Sequence, residues 1–237
     1  MENRYGYTDA QIATLSQSNI SPVQAWSLGM RCISDYNEVK ALLGFAPPTE
    51  TVPALAIPYH PRGDITKDPI YYRLRLDKPF KAKSGGTVRY LQPKGICSQI
   101  YIPPTTSSSK IYDSECDVVV TEGEKKALCG SQTGIPTIGS GGVWSFHDST
   151  TSDKSKGEWN LLPSLNEVIT PGKKVFICFD ANKFDDFSVL KAEMTLAKML
   201  HNKGAQVLLI HLPQNNKSSI EDVGLDDFIR KEGVHAF

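Results

Sequence analysis

Two carboxylates in this 237-residue sequence stand where apolar runs stop. Asp117-Val-Val-Val-Thr-Glu-Gly-Glu-Lys-Lys-Ala127 carries three valines into Glu122, a glycine and a helical start. Lys174-Val-Phe-Ile-Cys-Phe-Asp180 carries a second apolar run into Asp180. Continuous runs of this kind suit strands covered on both faces, and open α/β sheets gather chemistry at the carboxyl ends of their strands. Two parallel strands ending in acids can bring Glu122 and Asp180 within reach of one hard cation, magnesium or manganese. Such an ion polarises a phosphate and stabilises the attacking and leaving oxygens. Asn182, Asp185, Asp186, Asp226 and Asp227 complete the candidate catalytic set. The last four also suit helix N-caps or first-turn acids; for Glu122 and Asp180 the catalytic reading is preferred.

Other chemistry is weakly supported. Gly139-Ser-Gly-Gly-Val-Trp144 could approach a phosphate, yet it lacks the Walker lysine and the dinucleotide spacing, and a turn after a strand explains it equally. The five histidines show no metal spacing, and His147, His201 and His211 read as surface residues. The five cysteines are scattered without a C-x-x-C pair, which argues against a disulfide framework or zinc knuckle and for a reducing, cytoplasmic setting. Cys178, inside an apolar strand, reads as core. The formal net charge is zero but unevenly placed: from His60 to Gln99 nine Lys or Arg face three Asp. No apolar run approaches membrane-spanning length.

The elements follow from periodicity and caps. Thr8-Asp-Ala-Gln11 opens a first helix, Ser21-Pro22 a second and Ser34-Asp35 a third that Gly44 ends. Pro47-Pro48 then gives way to strands at Ala54 to Tyr59, Pro69 to Leu76, Val88 to Leu91 and Gln99 to Ile102. In Pro69 to Leu76, Ile70, Tyr72, Leu74 and Leu76 fall on one face; Tyr71, Arg73 and Arg75 fall on the other. That second face, with Lys81, Lys83 and Arg89 in a basic loop, is either a nucleic-acid surface or an ordinary solvated one. Pro103-Pro104-Thr-Thr-Ser-Ser-Ser109 is the clearest linker, so residues 1–104 are expected as a helical lead-in plus a small basic β-rich domain and 113–237 as an α/β domain. Beyond the linker, strands at 117–121, 135–138, 174–180 and 206–212 alternate with helices at 124–132, between the glycine-rich loop and residue 174, at 186–202 and at 225–231. That order predicts an α/β fold: a mostly parallel sheet flanked by helices, preceded by a smaller α+β domain.

At these residues the sequence resembles the Toprim superfamily, the catalytic core of bacterial-type primases, topoisomerases and some nucleases. It is more closely similar to the Toprim-like domain of uncharacterised function in primase-like proteins of phages, plasmids and other mobile elements. Thr121-Glu-Gly-Glu-Lys-Lys-Ala127 resembles the first motif, Ile135-Pro-Thr-Ile-Gly-Ser140 the second strand and turn, Val175-Phe-Ile-Cys-Phe-Asp-Ala-Asn182 the Asp-x-Asp motif, and Gly224-Leu-Asp-Asp-Phe-Ile229 the closing segment. The resemblance spans about residues 113–232, and Ile57-Pro-Tyr59 to Arg89-Tyr-Leu-Gln-Pro-Lys-Gly95 resembles the small domain preceding Toprim in primases. Two positions depart from the pattern: Asn182 replaces the second aspartate, and Lys126 stands where many primases carry an acid.

The resemblance implies metal-dependent nucleotidyl or phosphoryl transfer on nucleic acid in replication of a mobile element, by a primase-like nucleotidyltransferase or a nuclease. Glu122 and Asp180 would be catalytic, and Glu122, Asp180, Asn182, Asp226 and Asp227 would bind magnesium or manganese, weakly because Asn182 lacks a charge. Arg73, Arg75, Lys81, Lys83, Arg89 and Lys126 would hold single-stranded DNA or RNA. The chain carries no helicase motor or zinc-binding module, so a replicative helicase or polymerase is an expected partner, or the chain is part of something longer. The alternative is a weakened Toprim-like module that binds single strands or a replication partner without catalysis. A small-molecule phosphate enzyme built on Gly139–Gly142 is a third reading.

Overall fold

The structure, a computed structural model, describes residues 5–105, 108–153, 155–181, 187–213 and 223–237. Contacts divide it into two units, Met1–Ile96 and Cys97–Phe237.

In the first unit, helices α1 (Asp9–Gln17), α2 (Pro22–Ser27) and α3 (Tyr36–Leu43) start where their caps direct. Thr8 with Gln11, and Ser21 with Gln24, form capping boxes, and Asp35 accepts from the Asn37 amide. The helices are not a separate lead-in, because Arg31–Ile33 forms an edge strand, β1, between α2 and α3. It joins β2 (Ala54–Tyr59), β3 (Tyr71–Lys81) and β4 (Thr87–Leu91) in an antiparallel sheet of order β1-β2-β3-β4. β2 is buried along its whole length. Ala54, Ala56, Leu74 and Leu76 pack with Val39 and Leu43 of α3, and Asp77 of β3 accepts from the Thr8 hydroxyl and from the side-chain Nε2 of Gln11 in α1. β3 runs past its expected end at Leu76, through an irregularity between Arg75 and Phe80, so Lys81 lies in a strand and not in the loop.

The second unit contains α4 (Ser108–Tyr112), β5 (Val118–Glu122), α5 (Glu124–Gln132), β6 (Thr137–Ser140), α6 (Pro163–Val168), β7 (Lys174–Cys178), α7 (Phe187–Asn202), β8 (Gln206–Leu209) and α8 (Leu225–Glu232). Its sheet is parallel throughout, in the order β6-β5-β7-β8. The valines of β5 explain why: Val118 and Val120 pack with Ile177 and with Leu196 and Leu200 of α7, whereas Val119 packs with Cys129 of α5 and Leu225 and Ile229 of α8. A strand apolar on both sides needs cover on both sides, and α/β crossovers supply it. Residues 97–104, grouped by composition with the first domain, lie in this second unit. Ile100 and Ile102 fill its core, and Tyr101 exchanges backbone hydrogen bonds of 2.8 and 2.9 Å with Gly139. The expected strand there is reduced to this bridge. Among the described residues no helix is long and apolar enough to cross a membrane.

Candidate functional site

β5 delivers Glu122 to its last position, and Gly123 turns the chain into α5 with φ of +91°, a left-handed conformation that glycine adopts without steric cost. The Gly123 amide donates to the Ser140 carbonyl at 2.7 Å, pinning this turn to the end of β6. β7 is paired with β5 up to Thr121–Cys178, and Asp180 follows two residues later. The Ala181 amide donates to the Val223 carbonyl at 3.0 Å, which ties the end of β7 to the approach to α8.

Lys126, in the first turn of α5, meets Asp180. Its Nζ donates to both carboxylate oxygens at 2.6 Å, with the two side chains 21% and 15% exposed. Burial by itself pulls this ammonium's pKa down, but Asp180, then Glu122, and finally Asp226 outweigh it and hold the group above the usual lysine range. Three acids therefore act on one ammonium, and Asp180 touches it. Gly224 marks how closely Lys126, Asp180 and Asp226 approach: a Cβ there would lie 2.6 Å from Lys126 Cε, 2.9 Å from Asp226 Oδ1 and 3.2 Å from Asp180 Oδ1.

Asp226 and Asp227, adjacent in sequence, are used differently. Asp226 is buried and faces the cluster; its Oδ1 accepts from the Asp227 amide at 3.2 Å. Asp227 accepts from the Gly224 amide at 3.3 Å and from Arg230 at 3.1 Å, the helix-start role its position also allowed. Burial, with Asp226 and Asp227 nearby, pushes the Cys129 thiol up to about 12, so this cysteine is an inert neighbour of the site. Asn182, Asp185 and Asp186 lie outside the described residues. Among the described residues no group of three or more His, Cys, Asp or Glu side chains is disposed to hold a metal ion.

Gly139 and Ser140 belong to β6, so of this segment only Gly141 and Gly142 begin the turn; a Cβ on Gly139 would meet the Gly123 carbonyl at 2.7 Å. His147 is buried and not a surface residue: Nδ1 lies 2.5 Å from the Trp144 carbonyl, and Trp159 stacks on Trp144 and meets the imidazole edge-on. Sequence reasoning missed Glu124, which reads as an ordinary first-turn acid but is buried. Tyr101 is also buried, and burial first, then Glu124, raises its phenol well above the ordinary range.

The basic set lies in the first unit, apart from Lys126. Arg73 sits over the Tyr90 ring at 4.5 Å, and Arg75 is Tyr90's cross-strand partner. Lys81 donates to the Thr87 hydroxyl at 2.8 Å, and Lys83 and Arg89 are exposed. Tyr71, expected on the solvated face with the arginines, is buried and stacked on Tyr59 at 4.6 Å; the aromatic beside the arginines is Tyr90.

A family model described as a domain of unknown function (DUF3854) matches residues 109–236. No curated protein matches the chain. Three solved structures share the fold. The RNA polymerase domain of Mycobacterium tuberculosis primase DnaG is 12% identical with a TM-score of 0.63, over 98% of this chain and 76% of that one. The same domain in complex with double-stranded DNA is 13% identical with a TM-score of 0.58, over 96% and 71%. The Aquifex aeolicus primase, comprising zinc-binding and RNA polymerase domains, is 14% identical with a TM-score of 0.58, over 95% of this chain. The chain spans about half, 53%, of that structure's length.

Proposed function

The chain belongs to the family described as a domain of unknown function (DUF3854), and on that premise we propose that it is a primase-type domain that transfers nucleotidyl groups onto nucleic acid. The observation that carries this reading is the convergence of Glu122, Lys126, Asp180 and Asp226 at the carboxyl ends of β5 and β7, in a fold like that of primase RNA polymerase domains. Glu122, half-buried at its strand end, would take or return the proton of an attacking hydroxyl. Lys126 supplies positive charge where phosphate charge would develop. Arg73, Arg75, Lys81, Lys83 and Arg89 would offer phosphate contacts to a single strand; nucleic-acid binding in general is supported by the primase neighbour in complex with double-stranded DNA. The setting we propose, replication of a mobile element beside a helicase or polymerase, rests on the resemblance of the four sequence segments.

Nucleotidyl transfer of this kind commonly draws on a divalent ion that neutralises phosphate charge. The residues as placed do not fit such an ion at Asp180, because both oxygens of that carboxylate accept from Lys126.

The test is nucleotide incorporation on a single-stranded DNA template by wild type, Glu122→Gln and Arg73→Ala/Arg75→Ala. We expect Glu122→Gln to lose at least about a hundredfold in rate. The double arginine variant should bind template less tightly, with a shallower salt dependence than wild type. Absence of synthesis by wild type, or undiminished synthesis by Glu122→Gln, overturns the reading.

A further inference from the structure

We infer that Lys126 is a resident cation that keeps divalent metal off Asp180, so that this carboxylate is open to a divalent ion only when the lysine's charge is removed. This charge belongs to the proposed nucleotidyl-transfer site, yet metal binding reads it directly, whether or not the chain makes primers.

Geometry is the first support. One Nζ lies 2.6 Å from each Asp180 oxygen, so the ammonium sits across the mouth of the carboxylate, where a bidentate ion would sit. A magnesium ion needs its oxygen ligands at about 2.0–2.1 Å, and a metal taking that position must displace the lysine. Charge is the second. A divalent ion beside the cluster is repelled by the ammonium as strongly as one carboxylate at equal distance attracts it, which cancels one of Glu122, Asp180 and Asp226. Tethering is the third: the lysine is already part of the chain, whereas a metal must give up its freedom in solution to compete.

The surrounding backbone is also fitted to the lysine. Lys126 Cε occupies the space a Cβ of residue 224 would need, with only 2.6 Å between them. Gly224 takes φ of −93°, which any residue can adopt. The glycine there is therefore explained by room for the lysine stem and the two carboxylates, and not by backbone conformation.

The experiment measures manganese binding by electron paramagnetic resonance, with thermal melts, for wild type, Lys126→Met, Asp180→Asn and Lys126→Met/Asp180→Asn. Methionine keeps the length of the stem and removes the charge. Lys126→Met should bind manganese at least about tenfold more tightly than wild type, and adding Asp180→Asn should abolish the gain. In the wild-type background, Asp180→Asn should weaken manganese binding by less than about tenfold, because only the distant charge of Asp180 is lost there and no metal ligand. Equal affinity of wild type and Lys126→Met overturns the inference, as does a tenfold or greater loss caused by Asp180→Asn alone. Where Lys126→Met melts too low to titrate, the comparison of wild type with Asp180→Asn decides alone.

Discussion

Asp180, considered as one of several like charges, is a residue whose removal relieves repulsion. Beside Lys126 the sign reverses. The carboxylate receives two hydrogen bonds from one ammonium, and both side chains are largely withdrawn from water. Removing it leaves a mostly buried ammonium whose remaining compensation comes from Glu122 and Asp226. We expect Asp180→Ala to cost about 1–3 kcal/mol, between the values for exposed and fully buried pairs. Denaturant unfolding of the variant should show a lower midpoint with an unchanged slope; an unchanged or higher midpoint would mean that repulsion among the acids dominates.

Elements set the site through their ends. β5 and β7 stop beside each other, α5 begins at a left-handed glycine, and α8 enters through a glycine packed against three charged side chains. Gly139 of β6 and Gly224 should respond differently to a methyl group. At Gly139 the added carbon meets the Gly123 carbonyl at 2.7 Å, a backbone atom held by the first turn of α5. At Gly224 it meets the ends of side chains, which can swing away. Gly139→Ala should cost about 1–3 kcal/mol, and Gly224→Ala should cost less while separating Lys126 from Asp180. Thermal melts rank the two variants. If Gly224→Ala proves the more destabilising, the lysine–carboxylate contact is stiffer than side-chain flexibility allows.

For the whole molecule, the division at Ile96 and Cys97 has a consequence for truncation. Ile100, Tyr101 and Ile102 are all buried within the second unit, and side chains of this size contribute about 1.5–3 kcal/mol each when fully buried. A fragment of residues 97–237 should therefore fold with a cooperative melt. One beginning at residue 106, just beyond the prolines, should lose several kcal/mol or fail to fold. Equal melting of both fragments would show that the strand-like segment at Tyr101 adds little.

The sequence by itself determined the α/β class. Val118 to Val120 and Val175 to Ile177 are apolar on both faces, and separation by helical segments leaves a parallel, doubly covered sheet as the way to bury them. The caps of α1, α2 and α3 were equally legible, because a cap depends on residues two or three apart. Glu122 and Asp180 could be located at strand ends from local pattern alone. What Asp180 touches could not, since Lys126 lies 54 residues away in the chain and only the pairing of β5 with β7 brings the two together. Tertiary structure likewise assigned Asp226 to the cluster and Asp227 to its helix, buried Glu124, Tyr71 and His147, and gave Ile100 to Ile102 to the second unit. Each of these depends on which neighbours cover a side chain, and cover is set by packing between elements that local periodicity does not encode.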